Sequence, residues 1–178
     1  MAQTPKAPHL SGLNIRTFQP ADAATVRDLF SQGLLDFAMG FEEPIREYIR
    51  HSLADDLADI SASYFNEPGG HFWVAEIDGQ IKGMVGIQRR THEEAELRRM
   101  SVAAASRRHG IGGNLLETAE VFCREQGYRH IRLTTVSLLQ PAIALYRKHG
   151  YHQAGEERYG QVTGLHFVKR LTDQPLTK

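Results

Sequence analysis

Three glycines and two arginines fall within seven residues, Arg107-Arg108-His109-Gly110-Ile111-Gly112-Gly113, and this stretch is the one best suited to hold an anion. The residues before it, Glu96 to Val102, alternate with the period of a strand. Those after it, Leu115, Leu116, Ala119, Phe122 and Cys123, recur at helical spacing. A strand therefore hands over to a helix through a glycine turn. The first N–H groups of such a helix have no internal partners and its dipole adds partial positive charge, so a phosphate fits the junction. Gly110, Gly112 and Gly113 are expected to let the phosphate approach the backbone, with Arg107 and Arg108 adding direct charge. A P-loop is excluded because Asn114-Leu115, rather than Lys and Ser or Thr, follow Gly112-Gly113; a dinucleotide turn is excluded because Leu115 stands where its third glycine belongs.

The elements that must position this turn can be read along the chain. Leu13, Ile15 and Phe18 suggest a short strand ending near Pro20, and Val26, Leu29, Phe30 and Leu34 give one apolar face to a helix from Ala21 to about Leu35. Beyond Gly40 and Pro44, the spacing predicts a second helix over Ile45–Tyr64 with Tyr48, Ile49, Leu53, Leu57 and Ile60 pointing inward. Asn66-Glu67-Pro68-Gly69-Gly70 breaks it. Segments Phe72–Ile77 and Ile81–Gln88 flank Asp78-Gly79, a hairpin turn pair. The strand Glu94–Val102, the helix Gly112–Gln126 and the strand His130–Val136 follow. Pro141 then opens a helix that Gly150 closes, and a last hairpin pairs Tyr151–Arg158 with Leu165–Arg170 across Tyr159–Gly164. Antiparallel hairpins are thus mixed with a strand–helix–strand crossover that makes its two strands parallel. The fold class is α/β, an α+β mixed sheet.

Length and composition bound the function. A chain of 178 residues supports one core, read as a single domain over 11–172 with loose tails at 1–10 and 173–178. Equal numbers of basic and acidic residues, 21 each, give no general attraction to nucleic acid or anionic membrane. The pairs Arg89-Arg90, Arg98-Arg99 and Arg107-Arg108 lack interleaved stacking aromatics and read as solvated strand ends and phosphate contacts. Cys123 is the one cysteine, on an apolar helix face, so neither an intrachain disulfide nor a cysteine zinc site forms, and a reducing cytoplasm suits the chain. The nine histidines, including His51, His92, His130 and His166, never stand at His-x-x-x-His or His-Glu-x-x-His spacing, so no metal is expected. There is no signal-peptide core and no apolar run long enough to cross a bilayer.

Glu96-Leu97-x-x-Met100-x-Val102 followed by Arg107-x-x-Gly110-x-Gly112 resembles the acetyl-CoA motif of the GNAT N-acetyltransferase superfamily. Ala142-x-x-x-Tyr146 ending in Gly150-Tyr151 resembles its second hallmark. The likeness spans roughly Leu13 to Arg170. It is strongest toward the camello-like branch, through Leu53-Ala-Asp-Asp-Leu-Ala-Asp-Ile-Ser-Ala-Ser-Tyr64, Phe72-Trp-Val-Ala-Glu76 and Gly83-Met-Val-Gly86. That branch includes vertebrate cysteine S-conjugate and aspartate N-acetyltransferases. Its members carry a membrane segment after the first helix, where this chain has only Phe37-Ala-Met-Gly-Phe41.

The resemblance implies a GNAT fold, a mostly antiparallel sheet with one parallel crossover pair flanked by about four helices. It implies acetyl-CoA as cosubstrate, a small-molecule amine as acceptor, no membrane or nucleic-acid partner, and a superfamily habit of dimerising that leaves a homodimer open. By the same likeness Glu96 is the candidate base and Tyr146 the candidate acid for the departing thiolate. Met100, Ser101 and Val102 would bind pantetheine on a bulge-splayed strand edge, and Arg107, Arg108, His109, Gly110, Gly112 and Gly113 would bind the phosphates. Leu139 stands where many superfamily members have a cofactor-binding Asn. Direct attack by the amine is expected, with no covalent enzyme intermediate. The alternatives are acetylation of a protein N-terminus or lysine, and a non-catalytic acyl-CoA sensor.

Overall fold

The computed structural model describes residues 12–171, so the two tails, read from the sequence as 1–10 and 173–178, lie outside the described residues. Its elements are β1 (Asn14–Thr17), α1 (Ala23–Leu35), α2 (Glu42–Ala54), α3 (Ile60–Phe65), β2 (His71–Ile77), β3 (Gln80–Arg89), β4 (Glu94–Val102), α4 (Ile111–Glu125), β5 (His130–Val136), α5 (Gln140–Lys148), β6 (His152–Tyr159) and β7 (Val162–Arg170). The seven strands form one sheet in the order β1-β2-β3-β4-β5-β7-β6. Only β4 and β5 run parallel, as expected of strands joined by a helical crossover through α4. The mixed sheet agrees with the fold class read from the sequence.

Alternation along the central strands divides the apolar residues between two faces. Trp73, Ala75, Val85, Ile87 and Leu97 pack with Ile111, Leu115, Leu116 and Cys123 of α4. Phe72, Val74 and Met84 face the other way, onto Val26, Phe30, Ile49 and Ile60 of the first three helices. Each face of the sheet is thereby covered by helices, and the site must form at an edge or a split between strands.

Two helices end by the same device. Gly127 and Gly150, with φ of 82° and 83°, follow α4 and α5. The Tyr128 N–H donates to the Cys123 carbonyl at 2.9 Å, and the Tyr151 N–H to the Tyr146 carbonyl at 3.0 Å. These are the six-to-one bonds of a glycine-terminated helix. The Gly150-Tyr151 pair therefore fixes the last turn of α5, the turn that carries Tyr146.

Three sequence expectations are corrected. The helix predicted over Ile45–Tyr64 is broken into α2 and α3, giving five α-helices; Asp59 starts α3 by accepting the Ala62 N–H on its side chain at 2.9 Å. Apolar residues at 57 and 60 continue the helical period across that break and conceal it. Tyr48, read as inward, is 47% exposed and faces a cavity. The final hairpin turns at Gly160-Gln161, with Tyr159 opposite Val162, so its loop is far shorter than the predicted Tyr159–Gly164. The Asp78-Gly79 turn is as expected, with both residues at positive φ, as a two-residue hairpin requires.

Candidate active site

The split lies between β4 and β5. Their pairing covers only Glu94 to Glu96 against His130 to Arg132, although β4 runs on to Val102 and β5 to Val136. Beyond Glu96 the two parallel strands diverge. The cause is a bulge in β4. Gly86 pairs with Arg98 but Met84 pairs with Ser101, so Val85 alone faces both Arg99 and Met100, and Arg99 adopts a φ of 57°. Arginine rarely enters that left-handed region, and something must hold it there.

A buried ion pair does so. The Arg99 side chain is 4% exposed and that of Asp56, in the segment between α2 and α3, is 3% exposed. Arg99 Nε donates to Asp56 Oδ2 at 3.0 Å and Nη2 to Asp56 Oδ1, while Nη1 donates to Ser52 Oγ at 2.8 Å and to the Tyr48 hydroxyl at 3.2 Å. Its guanidinium also lies 5.0 Å from the Phe30 ring centroid. The Tyr64 hydroxyl donates to Asp56 as well. Burial alone would push the Asp56 carboxyl up, but Arg99, Tyr64 and Arg98 together hold it below the usual carboxylate range. The same burial, with Asp56 beside it, pushes the Tyr64 phenol far up. The segment after α2 is thus fastened to the bulge through an ion pair spanning 43 residues, and α2 itself through Ser52 and Tyr48.

The fork opens into a cavity of about 1190 Å³. Its walls are Glu96 to Met100 of β4, Thr134 to Val136 of β5, Leu139, Ala142 and Tyr146 of the α5 region, the Glu42–His51 side of α2, and the β6–β7 turn at Tyr159 to Val162. Glu96 and Tyr146, the candidate base and acid, therefore share one cavity with Met100. Glu96 Oε2 lies 3.8 Å from Arg90 Nη1. The Tyr146 ring packs on Tyr151 and Phe167, with centroids at 5.9 and 6.2 Å. Its hydroxyl has no hydrogen-bond partner among the described residues, and burial, with Tyr48 adding to it, pushes its phenol well above the ordinary value. The phenol therefore stays protonated on the cavity wall.

The glycine turn lies further along, outside the residues that line the cavity. Arg108 and Gly110 both have positive φ, 65° and 84°, and the first helical bond of α4 runs from the Asn114 N–H to the Gly110 carbonyl at 3.1 Å. The N–H groups of Ile111, Gly112 and Gly113 thus have no acceptor among the described residues, which suits an anion such as the phosphates of CoA. Among the described residues no strand pairs with Met100, Ser101 or Val102 on the β5 side of β4, where only the Val102 carbonyl is taken, by Arg107 Nε at 3.0 Å; that edge suits an extended amide chain. No ligand-holding cluster of three or more metal-binding side chains occurs among the described residues.

The side chains of the turn act differently from the sequence reading. Arg107 is already engaged: Nη2 pairs with Asp36 at 2.6 Å, Nε donates to the Val102 carbonyl at 3.0 Å, and the group lies 4.9 Å from the Phe37 centroid. It ties β4 to the end of α1. Exposed Arg108 is the residue left to supply charge, and His109 is exposed beside it. A Cβ on Gly112 would come within 2.9 Å of Leu145, and one on Gly113 within 3.3 Å of His149. Both glycines therefore serve the approach of α4 to α5 as much as access to the backbone. Sequence reasoning missed the Asp56–Arg99 pair, since two adjacent strand arginines read as solvated. The one local signal was a pair of aspartates, Asp55-Asp56, in an otherwise apolar helical pattern.

A split parallel pair, a strand bulge and a glycine turn at a helix start define an acyltransferase-type fold, and comparison with known proteins narrows the class. The family model described as "Acetyltransferase (GNAT) family" matches residues 35–151, and the chain belongs to that family. It is 38% identical over 140 residues to N-acetyltransferase 8 of Rattus norvegicus, covering 72% of this chain and 63% of that protein. It is 33% identical over 145 residues to N-acetyltransferase 8 of Homo sapiens, covering 77% of this chain and 64% of that one. The match thus spans somewhat less than two thirds of either relative. Among solved structures, a PaiA N-acetyltransferase from Thermoplasma acidophilum, determined in complex with coenzyme A, superposes with a TM-score of 0.75 at 23% identity, covering 89% of this chain and 99% of that one. That likeness is one of fold. Among the described residues no helix is long and apolar enough to cross a membrane.

Proposed function

We propose that this chain transfers the acetyl group of acetyl-CoA directly to the primary amine of a small molecule, an amino acid or amino-acid conjugate. The observation that carries the reading is the fork itself: the bulge at Arg99 opens β4 from β5 onto one cavity that holds Glu96, Met100 and Tyr146. Acetyl-CoA supplies the thioester that is to be cleaved. The unpaired edge of β4 at Met100 to Val102 holds the pantetheine and donates N–H groups to the acetyl oxygen, and the free N–H groups at the start of α4, with Arg108, hold the phosphates. Glu96, acting through water, takes the proton of the acceptor ammonium so that its nitrogen attacks the acyl carbon. Tyr146 gives its phenolic proton to sulfur as the C–S bond breaks. Cys123 is fully buried and its thiol is pushed up by that burial, so it does not serve as an acyl carrier. The same reading assigns the reaction to the cytoplasm.

The wall formed by the β6–β7 turn favours a small acceptor over a polypeptide threaded through the site. The test follows thiol release from acetyl-CoA with free amino acids, a cysteine S-conjugate and a peptide bearing a free N-terminus. Release with amino acids or the conjugate supports the reading. Release with the peptide alone moves the acceptor to protein, and acetyl-CoA binding without release to any amine makes the chain a sensor. Glu96→Gln is expected to lower kcat/KM at pH 7 by at least 10-fold and to recover toward wild type above the acceptor's own ammonium pKa, where the amine is already free. A loss equal at every pH would make Glu96 structural.

A further inference from the structure

The bulge has a second consequence, for charge. Glu96 and Arg98 lie two positions apart on one face of β4, and the extra residue brings Arg99 to that face too; both arginines contact Asp56. Arg99 takes up both Asp56 oxygens and two further acceptors, leaving Arg98 as a second guanidinium against a single buried carboxylate. Arg98 donates to Gln88 Oε1 at 2.7 Å, but lies 3.4 Å from Asp56 and 3.8 Å from Asp55, whose side chain is 72% exposed. Its side chain is 26% exposed and lines the cavity. The cluster thus presents to the acceptor space a guanidinium whose charge is met only by a carboxylate it shares with Arg99 and by the exposed Asp55, one strand repeat (about 7 Å between Cα atoms) from Glu96. A guanidinium carries five N–H donors in a planar fork suited to a carboxylate, and the neutral Gln88 contact leaves that capacity open.

We propose that Arg98 is a specificity-determining residue that holds the acceptor's own carboxylate, so that the site selects amines carrying a nearby carboxylate over the same amines without one. The amine then lies toward Glu96 and the carboxylate toward Arg98, which matches the two ends of an α-amino acid. Glu42, Glu43 and Glu47 of α2 also border the cavity, but they are exposed and share that helix edge with Arg50 and His51, so the oriented cation beneath them decides the contact. This proposal rests on the acetyl-transfer reading above. Removing Arg98 leaves Asp56 paired with Arg99 and Tyr64, so the fold is retained.

The test measures kcat/KM for S-benzyl-L-cysteine and for S-benzylcysteamine, which differs by the missing carboxylate, in wild type, Arg98→Gln and Arg98→Lys, with thermal melts to verify folding. Wild type is expected to prefer the carboxylate-bearing amine. Arg98→Gln should reduce that preference at least 10-fold, through KM, and Arg98→Lys should restore part of it. A wild-type enzyme that uses both acceptors equally, or 1,4-diaminobutane better than either, overturns the proposal and leaves acetyl transfer standing. So does a preference that survives in Arg98→Gln. Acetyl-CoA left intact with all three amines overturns both readings.

Discussion

Replacing Tyr146 with Phe is expected to lower kcat by roughly 100-fold while the dissociation constant for acetyl-CoA stays within twofold of wild type. The ring packs on Tyr151 and Phe167, and phenylalanine retains both contacts. Only the hydroxyl is lost, and it has no hydrogen bond among the described residues to leave broken, so the substitution removes a proton donor without disturbing the packing. Burial pushes this phenol above its ordinary value of 10, which keeps it protonated throughout the pH range of an assay. The wild-type rate should accordingly show no alkaline decline below pH 10 that Tyr146→Phe abolishes. Steady-state kinetics with calorimetric binding separates the two effects; an unchanged kcat would remove Tyr146 from the mechanism.

Asp56→Ala should have the largest effect on stability, a loss of about 3–5 kcal/mol, because it strands the Arg99 guanidinium without a counter-charge in a buried site. Urea unfolding measures it directly. The pH dependence has a definite sign. The folded-state pKa of Asp56 is depressed, so its contribution is complete above the unfolded value of 3.8 and is lost as pH falls through the lower folded value. Asp56→Asn should therefore flatten the acid limb of the stability profile below pH 3.8 and lower the plateau above it. An unchanged plateau would mean that the bulge at Arg99 is held by something other than this pair.

The parts of the fold legible in the sequence are those set by local chemistry. Asp78-Gly79 turns a hairpin because both residues tolerate positive φ, and Gly127 and Gly150 end helices for the same reason. The break between α2 and α3 was hidden because Leu57 and Ile60 keep the apolar period running, while the Asp59 cap that starts α3 reads as one more polar residue. The bulge was visible only through family likeness. Nothing local asks Arg99 for a φ of 57°, since the carboxylate that holds it there lies 43 residues away. Long-range electrostatics also separated Arg107 from Arg108, both read as phosphate contacts, because Asp36 and the Val102 carbonyl claim the first and leave the second exposed. Glu96, Met100 and Tyr146, which line one cavity, could be named as candidates from the family likeness because its motifs are spacings. Arg98 could not, because what marks it out is a carboxylate, Asp56, 42 residues away that Arg99 already claims.

The claim on which the rest depends is that the fork and the turn at Gly110 hold the acyl donor, and calorimetric titration of the full chain with acetyl-CoA and with CoA tests it without any knowledge of the acceptor. Saturable binding of both at one site per chain is expected, with affinity falling as salt is raised because the phosphates meet Arg108 and the start of α4. Folded protein that binds neither would contradict the account.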